Sequence, residues 1–412
     1  MPCTPSGARS MTEPILRELA TPEMRLLLAA ACCEQGDSST HERVRREAAA
    51  LGDWARLQHV ARAHRMLPFV VDAVAWSGVQ VPAPTMQSLL HERLEIAAGA
   101  WRAVHETAAL HRRLTDAGVR ALVYKGPLLS QRAYGDCTMR ASIDIDLVVE
   151  RAQLARATDV LRGAGYGLRA DATLRGATVI YAAYAQLPFG HLEDPVARDV
   201  DLHWRFSNRT LPWNPPLRDL LEAAEPLSIA GVALPIVPLE HELLLQLLHG
   251  ARHHWRTLEW LLVVRALLRD RSLDANGLLE LSRDHVHGCR AVLTGCALAH
   301  LLLDTPLPRA IADAVEADRA AGSLASELAR AIVASNALIP RSRRWLLRTQ
   351  DSVWDQARLL AVAAAVPTPR EAEWIRLPRG ATALYWPLRW IRLVLRALGL
   401  ASSPSGSGPV RR

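Results

Sequence analysis

Four β-type runs, confined to the middle of an otherwise helical sequence, restrict what this chain can fold into. They are RALVYKG (120–126), SIDIDLVVE (142–150), TVIYAAYAQ (178–186) and VARDVDLHWRF (196–206), rich in Val, Ile and Tyr and alternating in polarity. From Glu13 to about Ala98 strand signals are nearly absent. TPEMRLLLAAACC there offers an N-cap and an acidic first turn, and VPAPTMQSLLHERLEIAAGAW restarts a helix at a proline. A helix carrying Ala103, Thr107, Leu110 and Leu114 stops at Gly118, and RAQLARATDVLRGAG separates the second run from the third. Beyond Pro238, Leu244, Leu248, Ala251, Trp255, Leu258 and Leu262 recur at three and four residues, a stripe that reads as core. The fold expectation is α+β: a small mixed sheet with helices on one face, flanked by N- and C-terminal helical regions.

At 412 residues the chain exceeds a single core of ordinary size. The texture divides it into a disordered leader (1–12), an N-terminal helical region (13–100), a sheet-bearing core (101–237), a C-terminal helical region (238–350), an extension (351–400) and a Ser/Gly/Pro tail (401–412). Met11, after the leader, is an alternative start. A net charge of +7 favours anionic partners such as nucleotides, nucleic acid or a lipid surface. Six cysteines without a paired C-x-x-C pattern argue against a disulfide scaffold or a zinc ribbon. The opening residues lack the apolar core of a signal peptide, and no stretch of about 18 uncharged apolar residues follows. A cytoplasmic location is expected.

In SIDIDLVV, Ile143, Ile145, Leu147 and Val149 line one strand face while Asp144 and Asp146 stand on the other. Two carboxylates on one face repel, so the pattern is either a solvated edge or a site for a divalent cation such as Mg²⁺. A second run, ARDVDLHWRF, places Asp199, Asp201 and His203 on one face, and a third carboxylate would complete a two-metal site. His203 is expected in the same pocket. Lys125 is the single lysine in a chain with 49 Lys and Arg residues. Codon pressure toward arginine leaves a lysine where a compact charge is needed, and Gly126 lets backbone approach a phosphate.

LVYKGPLLSQRAYGDCTMRASIDIDLVV, then VDLHWRF, then LLHGARHHWRTLEWLLVV resemble the bacterial uncharacterised nucleotidyltransferase family, a branch of the polymerase-beta-like nucleotidyltransferase superfamily related to the toxin-type nucleotidyltransferases; PREAEWIRLP and YWPLRWIRL continue the likeness. The resemblance implies transfer of a nucleoside monophosphate from an NTP such as ATP to an acceptor, with release of pyrophosphate. It places Asp144 and Asp146 as paired metal ligands and Asp201 as the third carboxylate. Lys125 and Gly126 fall at the nucleotide-phosphate turn, and Arg140 matches an arginine ahead of the D-x-D. Mg²⁺, with Mn²⁺ as the alternative, is the implied ion. Two departures stand out: a Lys-Gly-Pro turn with 17 residues (127–143) before Asp144, and Val263 where the family pattern often has an aspartate. The acceptor stays open between a small molecule, a peptide, a protein side chain and the end of a tRNA. The rival classes are a non-catalytic nucleotide-binding or scaffold protein and a peripheral membrane adaptor.

His249 and His253 sit four apart on a helix with Gln246 and Arg256 near the same face. Gly250 lies where a zinc hydrolase needs an acid, so a solvated face or a polar wall beside the nucleotide is expected instead. In the tail, LYWPLRWIRLVLRALGL (384–400) sets Arg389, Arg392 and Arg396 at helical spacing with Trp386 and Trp390. Docking on the body is expected, with weak contact to an anionic membrane surface as the alternative.

Overall fold

The computed structural model describes residues 18–169, 185–207, 211, 213–334, 343–375 and 377–398. The leader, the tail and nearly all of TVIYAAYAQ lie outside them. The chain opens with four short helices: α1 (Pro22–Ala31), α2 (Ser38–Ala49), α3 (Trp54–Ala63) and α4 (Leu67–Ser77). Side chains of Thr21, Asp37 and Asp53 accept backbone N–H bonds at the first three N-termini, and left-handed Gly78 ends the fourth. Helix α5 (Ala83–Asp116) then runs unbroken for 34 residues, through the position where the helical region was expected to give way to the sheet-bearing core.

The sheet follows as β1 (Ala121–Tyr124), α6 (Gly126–Tyr134), β2 (Asp144–Val149), α7 (Leu154–Gly163), β3 (Tyr166–Leu168), β4 (Gln186–His191) and β5 (Asp199–His203). Among the described residues its order is β1-β2-β5-β4-β3, with β2 and β5 parallel and every other pair antiparallel. Ile145, Leu147, Val149, Phe189 and Leu202 cover one face and pack on Leu110 and Leu114 of α5 and Leu161 of α7. Ile143 is not among them: the strand starts one residue later and Ile143 is exposed. The opposite face carries the acidic residues, and there Leu122, Tyr124 and Val148 meet Leu220 of α8 (Leu217–Glu222) and Leu245 further on. Helices therefore lie on both faces, the second covered only in part.

A hairpin, β6 (Glu225–Ile229) and β7 (Val232–Ile236), turns at Ala230 and Gly231, both with positive φ. After it come α9 (Leu239–Arg252), α10 (Leu258–Leu268), α11 (Ala275–Glu280), α12 (Cys289–Leu303), α13 (Arg309–Ala317), α14 (Arg319–Val333) and α15 (Arg343–Arg348). A last group follows: α16 (Val353–Ala365), α17 (Pro369–Trp374) and α18 (Tyr385–Ala397). The leucine stripe spans two helices. The chain reverses at His254 and Trp255, both left-handed, and folds the Trp255 ring back over Gly250. Met24, Leu27 and Leu57 share one core with Leu244, Leu262 and Leu298, so the N- and C-terminal helical regions form a single body beside the sheet.

Candidate functional site

The site begins where β1 ends. Lys125 (φ +62°) and Gly126 (φ +58°) both take left-handed backbone, an unusual state for a lysine, and turn the chain directly into α6. The Lys125 ammonium lies 4.6 Å from the centroid of the Tyr124 ring. The 17 residues between Gly126 and Asp144 are helix α6 and a loop that returns the chain antiparallel to β1, so that Tyr124 pairs with Asp146. Lys125 is one step from a carboxylate that is remote in sequence. The loop is fixed by Ser130 Oγ donating to the Asp136 carbonyl at 2.7 Å and by Arg93 donating to the carbonyl and hydroxyl of Thr138 at 3.2 and 3.1 Å.

Parallel pairing of β2 and β5 sets Asp146 beside Asp201 and Asp144 beside Asp199. Among the described residues, donor atoms of Asp146, Asp201 and His203 lie within 4.8 Å of one another. His203 Nε2 donates to Asp146 Oδ1 at 2.7 Å, and Gln186 on β4 donates to Asp201. Asp144 stands on the same face at the strand's start, outside that group, while Asp199 is turned to Arg169. The cluster gathers Asp146, Asp201 and His203, all expected in one pocket from sequence; Asp144, the other expected metal ligand, is not a member of it.

The two paired carboxyls are driven apart electrostatically. Burial works to raise Asp146, but the Lys125 charge and the His203 hydrogen bond outweigh it and hold that carboxyl below its usual range. Asp201 is pushed up to about 6 by burial, with the Asp146 and Asp144 charges acting in the same direction and His203 against them. Asp144 is raised too, by burial and then by Asp146. One ionised carboxyl in the field of a single lysine makes its neighbours hard to ionise, which is the condition a divalent cation relieves.

A second wall comes from the helical body. Arg140 is buried and its Nε donates to Glu259 at the start of α10, so this arginine is a fixed cation and not a free arm. From α9, Glu242 is buried and raised by desolvation, and it accepts from Gln246 Nε2 at 2.7 Å. His249 is held well below the usual histidine range by burial and then by the charges of Lys125, His253, Arg252 and Arg140. Its ring lies 4.5 Å from that of His253 and edge-on to Trp260. These two half-buried histidines form a partly enclosed wall beside Lys125, with His249 held neutral.

The donor set fits a divalent cation: two carboxylates on adjacent strands, with a ring nitrogen of His203 in the same cluster. The chain matches the model of the uncharacterised nucleotidyltransferase family over residues 51–304. It belongs to that family. A search of curated proteins returned no match. In this nucleotidyltransferase the matched span runs from just before α3 to the end of α12 and holds every site residue named above, while α16 to α18 lie beyond it. Val263 is buried in the helical core. Glu259 and Glu242 were missed from sequence. The available signal was Glu242, Gln246 and His249 at helical spacing within a run of leucines.

Proposed function

We propose that this nucleotidyltransferase moves a nucleoside monophosphate from an NTP to an acceptor nucleophile, with release of pyrophosphate, at the face formed by Asp144, Asp146 and Asp201. The observation that carries the reading is the in-register pairing of Asp146 and Asp201 with Lys125 one residue beyond the partner of Asp146. In the reaction the acceptor oxygen bonds to the α-phosphorus. The bond from that phosphorus to the bridging oxygen breaks, and pyrophosphate leaves with the electron pair.

Asp146 and Asp201, with Asp144 adjacent, are the residues that would hold Mg²⁺, which when bound neutralises charge on the transferring and leaving phosphates. Lys125 supports the triphosphate from the β1–α6 turn, where Gly126 leaves the backbone uncovered. His203 keeps Asp146 ionised and oriented. Asp201, with its raised pKa, is the carboxylate suited to orient and deprotonate the acceptor. Arg140, locked to Glu259, holds the α6–β2 loop that leads into the acidic strand and adds a minor favourable field at Asp146.

The test is to incubate radiolabelled ATP, GTP, CTP and UTP with host extract and either wild-type protein or the Asp146→Asn/Asp201→Asn variant. Label is expected in one acceptor fraction with wild type alone, and the fraction labelled, whether small molecule, peptide, protein or tRNA, identifies the acceptor class. Equal labelling by both proteins would defeat the assignment.

A further inference from the structure

The C-terminal unit α16–α18 is built inside out. Its centre is Glu371, 0% exposed, which accepts from the Thr368 N–H at 2.6 Å, the Thr368 hydroxyl at 2.8 Å and Arg389 Nη1 at 3.3 Å, and from Arg392 Nε. Arg389 also donates to the Ala363 carbonyl at 2.6 Å, tying α18 to α16. Two of the three α18 arginines, Arg389 and Arg392, thus point inward. Outward point Trp386, Trp390 (52% exposed), Ile391, Val394 (54%) and Leu398 (65%), one stripe at helical spacing. Trp374 on α17 and Trp354 on α16, the latter 81% exposed, extend the apolar exterior.

Water drives the opposite arrangement, since each such side chain is worth roughly 1.5–3 kcal/mol when buried. A polar, ion-paired centre with an apolar exterior suits a surrounding of low polarity, where charges survive only when paired and helical backbone is already satisfied. Tryptophan is the residue that settles at the level of lipid headgroups. Residues 353–398 hold seven arginines against three acids, and Arg358, Arg370 and Arg396 are exposed, complementing anionic headgroups. Among the described residues no helix is long and apolar enough to cross a membrane, which leaves an orientation in the plane of the interface.

We propose that α16–α18 form an in-plane anchor whose tryptophan-bearing exterior seats at the headgroup and acyl boundary of an anionic bilayer. The unit lies outside the span that matches the nucleotidyltransferase family, so the anchor stands independently of the catalytic reading. The test is flotation of the full chain with vesicles of phosphatidylcholine alone and of phosphatidylcholine with phosphatidylglycerol. Binding is expected to the anionic vesicles, weakened by salt, and at least tenfold weaker for Trp386→Ser/Trp390→Ser/Val394→Ser with an unchanged melting temperature. Acyl-brominated vesicles should quench tryptophan fluorescence of the unaltered protein, a readout that needs no variant. Absence of both flotation and quenching would overturn the proposal. So would sedimentation velocity showing a dimer that the same substitutions split, because the face would then belong to a second copy.

Discussion

Asp146 and Asp201 occupy matching positions on adjacent parallel strands and titrate in opposite directions, because Lys125 and His203 favour one charge and that charge opposes the other. A carboxyl raised in the native state binds its proton more tightly there than in the unfolded chain. Asp201 therefore adds stability as pH falls from about 6 toward 4 and costs stability above that window when no cation is present. Asp201→Asn is expected to be more stable than wild type at pH 7 without metal, by about 1–3 kcal/mol in urea unfolding. Saturating Mg²⁺ should narrow or reverse the difference. His64 acts with the opposite sign: buried, with its pKa lowered to about 4, it takes stability away as pH falls from 6.5 toward 4. For transfer, Asp146→Asn and Asp201→Asn should each cost at least about a hundredfold in labelled-NTP turnover. Lys125→Arg should raise the KM for NTP about tenfold or more, since a planar fork cannot replace a compact charge on this strained turn; unchanged KM and turnover would remove Lys125 from the site.

Elements meet the site through two features that side-chain volume and charge decide. A methyl group on Gly250 would lie 2.3 Å from the Trp255 ring, so Gly250→Ala is expected to destabilise by about 1–3 kcal/mol in denaturant unfolding, with α9 displaced against the sheet. The α6–β2 loop is held to α10 by Arg140 and Glu259, both buried. Glu259→Gln should cost about 3–5 kcal/mol because it leaves a buried charge without its partner, whereas Arg140→Met/Glu259→Leu should recover much of that loss and still lack transfer. The strands that escaped notice explain themselves at this scale. Pro188 and Gly190 interrupt the alternation of β4, and Pro226 and Pro235, which pair with each other, interrupt β6 and β7.

Across the whole molecule, the site lies at the seam between the sheet and a helical body assembled from both ends of the chain. Nothing local to residues 20–74 shows that they share a core with residues 239–359, because matching apolar faces carry no address. That shared core predicts a single calorimetric unfolding transition for the body. Mg²⁺ with the cognate NTP at a hundred times its Kd should raise stability by about 2.7 kcal/mol, and two well-separated transitions would contradict the shared core.

What the sequence by itself determined are the features written in short-range pattern: the α+β class, the helices with their caps, and the alternation that puts Asp144 and Asp146 on one strand face. So too the singular Lys125-Gly126 turn and the family it belongs to. Only the tertiary structure decided which strands are neighbours. With that it decided that donor atoms of Asp146, Asp201 and His203 gather with Asp144 next to them, that Arg140 is paired with Glu259, and that Arg389 and Arg392 of α18 face inward. The physical reason is one of range. Periodicity and capping are properties of a few consecutive residues, whereas register across a parallel pair, burial of a charge and the choice of which helix face meets water depend on groups tens to hundreds of residues away.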